Sequence, residues 1–137
     1  MARLLSIDYG KKRTGIAVTD PLQIIPNGLG TVATAELFDF LKDYVSREQV
    51  ERIVIGEPRQ MNGEPSENMG RVRQFAARWK KAYPSIPIVF YDERFTSVLA
   101  HKAIIESGIG MKARRNKALV DEISATIILR DYMQTQR

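Results

Sequence analysis

No cysteine occurs in the 137 residues, which excludes disulfides, thiolate zinc sites and cysteine nucleophiles together and suits a reducing compartment. Histidine is nearly absent too. His101 stands alone, so there is no histidine-rich metal site, and it reads as a partly exposed helix residue rather than a ligand. Long hydrophobic runs are also missing. Nothing approaches the roughly 20 apolar residues of a membrane span, and Met1-Ala2-Arg3 leads directly into a strand-like run without an apolar signal region, so a cytoplasmic protein is expected. There is no internal repeat, low-complexity tract or linker. Apolar residues make up 44% of the chain, enough for one hydrophobic core, and residues 1–137 read as a single domain. Lysine and arginine outnumber the acids, 21 to 16, and the net charge of +5 favours a polyanionic partner such as nucleic acid.

The most informative stretch is Leu4 to Asp20, LLSIDYGKKRTGIAVTD. Two apolar runs flank a basic turn containing Lys11, Lys12 and Arg13, and Asp8 stands where the first run ends. Because strand side chains alternate, an acid at that point lies at the rim of a sheet, open to water and substrate. Gly10 and Gly15 permit a sharp hairpin whose backbone can approach a phosphate. Two readings stand: a carboxylate that holds a cation facing a phosphate, or an exposed Asp before an ordinary hairpin.

Further along, 24–32 is broken by Pro26, Gly28 and Gly30 and reads as a short third strand at a sheet edge. Apolar residues at helical spacing predict a helix over 35–48, with Thr34 as its N-cap. The run Arg52 to Gly56 reads as a buried parallel strand ending in the Gly56-Glu57-Pro58 turn, followed by a loop over 59–65. Met69, Val72, Phe75, Ala76, Trp79 and Tyr83 mark a second helix. Its outer face carries Arg71, Arg73, Arg78, Lys80 and Lys81, either simply solvated or facing nucleic acid. A strand over 87–91 runs into Asp92-Glu93-Arg94. A helix over 97–107 ends at Gly108, a basic loop covers 109–116, and a last helix runs from about 116 to 133. Three antiparallel strands followed by right-handed crossovers to parallel strands give an α/β domain, a mixed five-stranded sheet flanked by helices.

Three acids fall where such a sheet can bring them together: Asp8, Glu93 and Asp121. Lys117, Asp121, Ser124 and Ile128 share one stripe of the last helix, so Lys117 and Asp121 point the same way. Clustered carboxylates repel unless a cation neutralises them or some stay protonated. With oxygen ligands and no suitable histidine or cysteine, Mg²⁺ or Mn²⁺ is favoured over zinc.

Four motifs occur in order along the chain: Asp8-Tyr9-Gly10 with Arg13 and Gly15; Gly56-x-Pro58 with Asn62-Gly63; Asp92-Glu93-Arg94 with Thr96-Ser97; and Asn116-Lys117 leading to Asp121 and Ala125. Together they resemble the YqgF family, relatives of the RuvC Holliday-junction resolvases described as bacterial pre-16S rRNA nucleases. The resemblance implies a ribonuclease H-like fold with sheet order 3-2-1-4-5. It further implies that Asp8, Glu93 and Asp121 hold one or two Mg²⁺ or Mn²⁺ ions for phosphodiester hydrolysis. Lys117, with Arg13 or Arg94, would offset transition-state charge on the phosphate, and Arg94 has the equal alternative of pairing with Asp92 or Glu57. Lys11, Lys12, Arg13, Lys112, Arg114 and Arg115 would position backbone phosphates without reading bases. Glu57 departs from the family pattern, which carries Leu there, and either supplements Glu93 or faces solvent.

Competing readings keep the fold or part of it. One is a resolvase acting on branched DNA as a homodimer rather than a monomer on RNA. Another is a nucleic-acid-binding or ribosome-associated module without catalysis. A third is half of a sugar-kinase or actin-like ATPase, which needs two such domains.

Overall fold

The computed structural model describes residues 2–57, 67–92 and 117–136. Strands β1 (Arg3–Tyr9), β2 (Arg13–Thr19) and β3 (Pro26–Ala33) form an antiparallel meander. A single 3₁₀ turn (Thr34–Glu36) leads into helix α1 (Leu37–Arg47), then come β4 (Val50–Glu57), α2 (Met69–Ala82), β5 (Ile88–Asp92) and α3 (Lys117–Thr135). β4 lies parallel to β1 and β5 parallel to β4, so the sheet order is β3-β2-β1-β4-β5. The expected sheet, its order and its edge strand β3 are all present. The helix expected over 97–107 and the loops over 59–65 and 109–116 lie outside the described residues.

Strand alternation sorts the core into two layers. Leu5, Ile7, Ile53 and Ile55 pack with Leu37 and Leu41 of α1 and with Val72, Phe75 and Trp79 of α2 on one face. Leu4, Ala17 and Val54 pack with Ala125, Ile128, Leu129 and Tyr132 of α3 on the other. Trp79 is fully buried, stacks on Tyr83 with ring centroids 4.3 Å apart, and donates its indole N–H to the Ile86 carbonyl at 3.2 Å, as its place on the apolar stripe predicts. Along the last helix Ile127, Ile128 and Tyr132 are buried, whereas Val120 and Ile123 are half-buried.

The α3 face is built for close approach. Ser6 of β1 donates its buried hydroxyl to the Ala125 carbonyl at 2.6 Å. A Cβ at Gly15 would run into the backbone carbonyl of Asp121, and one at Gly28 into the Glu122 side chain. Small residues on three adjacent strands therefore let the helix lie nearly on the sheet backbone, and that closeness fixes where Asp121 sits.

One expectation fails. Thr34 does not cap α1: the N-cap position is Glu36, which makes no capping bond through its side chain. The Thr34 hydroxyl instead donates to the Gly10 carbonyl at 2.7 Å, and the Thr34 N–H donates to the Lys12 carbonyl at 2.9 Å. The residue is spent on fastening the basic turn. At the other end of the meander, Asp20 organises the β2–β3 loop by accepting the N–H groups of Leu22, Ile24 and Ile25. Those bonds, that of Ile25 foremost, hold its carboxyl below the usual value of 3.8.

Candidate active site

The C-terminal ends of β1, β4 and β5 share one rim of the sheet because the three strands are parallel. Asp8 belongs to this rim as the penultimate residue of β1, and only 8% of it is exposed. Leu4 and Ser6 both contact the α3 side, so regular alternation puts Asp8 on the α3 face as well. Its cross-strand partner in β2 is Gly15, the residue on which the Asp121 backbone rests. Directly opposed residues of an antiparallel pair point to the same face. Asp8 and Asp121 thus come to one end of one face, with Gly15 between the strand and the helix.

Arg13 completes this corner. Its Nε donates to Oδ2 of Asp121 at 2.9 Å, with the arginine side chain 41% and the aspartate side chain 21% exposed. Gly10, Lys11, Lys12, Arg13 and Asp121 line a shallow cavity of about 350 Å³. Lys11 and Lys12 are exposed on the turn. The corner sets the Asp121 carboxylate beside three basic side chains, Lys11, Lys12 and Arg13.

The remaining expected residues divide simply. Glu93, Arg94, Lys112, Arg114 and Arg115 lie outside the described residues. Lys117 opens α3, one turn before Asp121. Ser124 and Ile128, also expected on that stripe, are buried, Ile128 in the core between α3 and the sheet. Glu57 is paired in register with Asp92 at the ends of β4 and β5. Alternation from Ile53 and Ile55 puts Glu57 on the α1–α2 face, away from Asp8. Tyr9 packs on that same opposite face, its ring 5.7 Å from that of Phe75, as its neighbouring position to Asp8 predicts. Burial raises its phenol pKa, and the charge of Arg71 partly opposes the rise.

Sequence reasoning missed two features of the corner. The pairing of Arg13 with Asp121 joins residues 108 positions apart and carries no local signal. The close seat of α3 did leave one, in the small residues Gly15 and Ala17 on a strand otherwise rich in larger side chains.

A five-stranded mixed sheet in this order, with helices on both faces and an acid at the rim of its central strand, defines a ribonuclease H-like α/β domain. Residues 2–135 match the family model described as "RuvX: Holliday junction resolvase". The chain belongs to that family, and the YqgF resemblance carried by its motifs holds. Among similar proteins, one from Porphyromonas gingivalis named "Putative pre-16S rRNA nuclease" is 62% identical over 133 residues, covering 97% of this chain and 96% of its own. Proteins of the same name from Bacteroides fragilis and Flavobacterium johnsoniae are 59% and 53% identical over 137 residues, each covering 100% of this chain and 99% of its own. A solved structure titled "YeaZ from Pseudomonas aeruginosa" aligns with 79% of this chain and 50% of its own at 17% identity and a TM-score of 0.45, too distant to bear on function.

Proposed function

We propose that this protein is a metal-dependent nuclease that hydrolyses phosphodiester bonds in a 16S rRNA precursor, in the cytoplasm and in association with the maturing ribosome. The observation that supports the chemistry most is the convergence of the nearly buried Asp8 carboxylate and Asp121 across Gly15 at one rim of the sheet. The substrate is supported by the names of relatives at 53–62% identity over the full chain.

The donor set fits a hard divalent ion. Asp8 and Asp121 offer oxygen ligands on one face, and the corner already draws a cation, the Arg13 guanidinium, onto Asp121. Asp8 and Asp121, with Glu93 as the third acid, would hold Mg²⁺ or Mn²⁺. When bound, such an ion supplies Lewis-acid polarisation of the phosphate and an activated water. The chain's own part is positioning and charge. Lys11 and Lys12 hold backbone phosphates over the rim, and Lys117 offsets the negative charge that grows on the reacting phosphate. Lys112, Arg114, Arg115 and Arg94 extend the same role. Arg13 would act on both sides, orienting Asp121 through Nε and offering its remaining N–H groups to a substrate phosphate in the cavity that it lines.

Replacing Asp8 by Asn should abolish Mg²⁺- or Mn²⁺-dependent cleavage of the rRNA precursor while leaving the circular dichroism and melting curve native. Undiminished cleavage by that variant contradicts the assignment.

The family's description as a Holliday junction resolvase favours a second reading, symmetric cleavage of branched DNA by a homodimer. Cleavage assays on a four-way junction and on rRNA precursor, with the solution mass of the protein, separate the two. A monomer that cuts only RNA eliminates the second.

A further inference from the structure

On the face of β1 opposite Asp8, a cavity of about 450 Å³ opens between the start of α1 and the outer side of α2, within the roughly 300–1,000 Å³ usual for ligand sites. Tyr9 lines it from β1, Thr34 from the 3₁₀ turn and Phe38 from α1, and Arg71, Gln74 and Arg78 line it from α2. Among the described residues both of its charged side chains are arginines. Arg78 lies over the Phe38 ring, its guanidinium carbon 4.0 Å from the centroid, forming a cation–aromatic contact in the wall. Arg71 is close enough to Tyr9 for its charge to act on the phenol.

The cavity is joined to the rim just described. Tyr9 immediately follows Asp8, so one strand presents the carboxylate on one face and the cavity's aromatic wall on the other. Thr34, also in the wall, is hydrogen-bonded through its hydroxyl to Gly10 and through its backbone to Lys12, which ties the wall to the basic turn. A polynucleotide crossing the rim at Asp8 therefore meets this cavity next.

We infer that the cavity is a second nucleic-acid subsite, taking one unpaired nucleotide that flanks the scissile phosphate, its base stacked on the Phe38–Arg78 pair and its phosphate on Arg71. Aromatic and guanidinium planes stack bases of any identity, but only bases already out of a helix. Arginine suits the phosphate because its planar fork pairs with two oxygens at once. Gln74 supplies both a donor and an acceptor for a base edge. The chemistry excludes paired bases, so the subsite confers a preference for single-stranded or locally opened substrate. The position of the scissile phosphate rests on the nuclease reading; binding in the cavity does not require cleavage.

The test uses the full-length protein carrying Asp8→Asn and short single-stranded RNAs with 2-aminopurine at successive positions. Stacking should quench fluorescence at one position when protein is added. Arg78→Gln should remove that quench, and Arg71→Gln or Arg78→Gln should each weaken binding on the order of tenfold, while neither weakens binding of fully paired RNA. Both side chains are on exposed positions of α2, so the variants should fold, and matching circular dichroism spectra check this. Quenching at no position, or affinity and quench unchanged in both variants, overturns the subsite. If Asp8→Asn still cleaves like the wild type, the catalytic assignment fails on its own, and the fluorescence result decides the subsite independently.

Discussion

At Gly15 a single hydrogen atom decides where a helix sits. An added Cβ would collide with the Asp121 carbonyl and approach the Glu122 nitrogen, both backbone atoms that cannot rotate aside. Gly15→Ala should therefore lower stability by about 1–3 kcal/mol, the usual cost of overpacking, and should reduce cleavage by displacing Asp121 from Asp8. Gly70 provides the control. It is exposed on α2, and a Cβ there meets nothing within 4 Å, so Gly70→Ala should raise stability by about 0.5–1 kcal/mol through helix propensity and leave activity alone. Urea denaturation of the two variants reads opposite signs if the contact is as described. The ion pair above Gly15 matters less to folding. With Arg13 41% exposed, solvent screening leaves it at most about 1 kcal/mol, so its role is to orient Asp121.

Among the elements, α2 shows most directly how pattern became packing. Met69, Val72, Phe75 and Trp79 recur at helical spacing in the sequence and are the buried residues of the helix. Truncating its largest anchor, Trp79→Ala, should cost about 3–5 kcal/mol, measured by chemical denaturation. A loss under about 1 kcal/mol would mean that α2 is not held by this stripe. Strands β1, β2, β4 and β5 were equally legible, because apolar runs bounded by turns have one plausible use in a chain of this size. What escaped the sequence were contacts between distant residues. Thr34 has the chemistry of an N-cap, but 24 positions away the Gly10 carbonyl competes for its hydroxyl and wins. Similarly, Arg13 was readable as a phosphate ligand, while its bond to Asp121 depends on how tightly α3 lies against β2. The rim position of Asp8 was legible because alternation is local. Its partnership with Asp121 was expected from the sheet rim and the stripe of the last helix, while the close approach of the two depends on the seat of α3 on Gly15, and Glu93 lies outside the described residues.

For the whole molecule, charge and topology act together. The sheet order brings the ends of β1, β4 and β5 to one rim, and the turn at Lys11 and Lys12 projects beside it from a chain of net charge +5. Binding of single-stranded RNA should accordingly weaken linearly in log affinity against log salt concentration. Replacing Lys11 and Lys12 by alanine should reduce the magnitude of the slope by roughly 0.7 for each phosphate contact removed. A slope unchanged by the double substitution would place the phosphate path elsewhere.

The meeting of the acids at this rim can be examined by soaking crystals of the protein in Mn²⁺ and locating the ion by its anomalous scattering. A peak liganded by carboxylate oxygens of both Asp8 and Asp121 is expected. No peak there at saturating Mn²⁺, or an ion bound elsewhere on the molecule with these two carboxylates unengaged, would contradict a shared metal site and with it the metal-dependent nuclease.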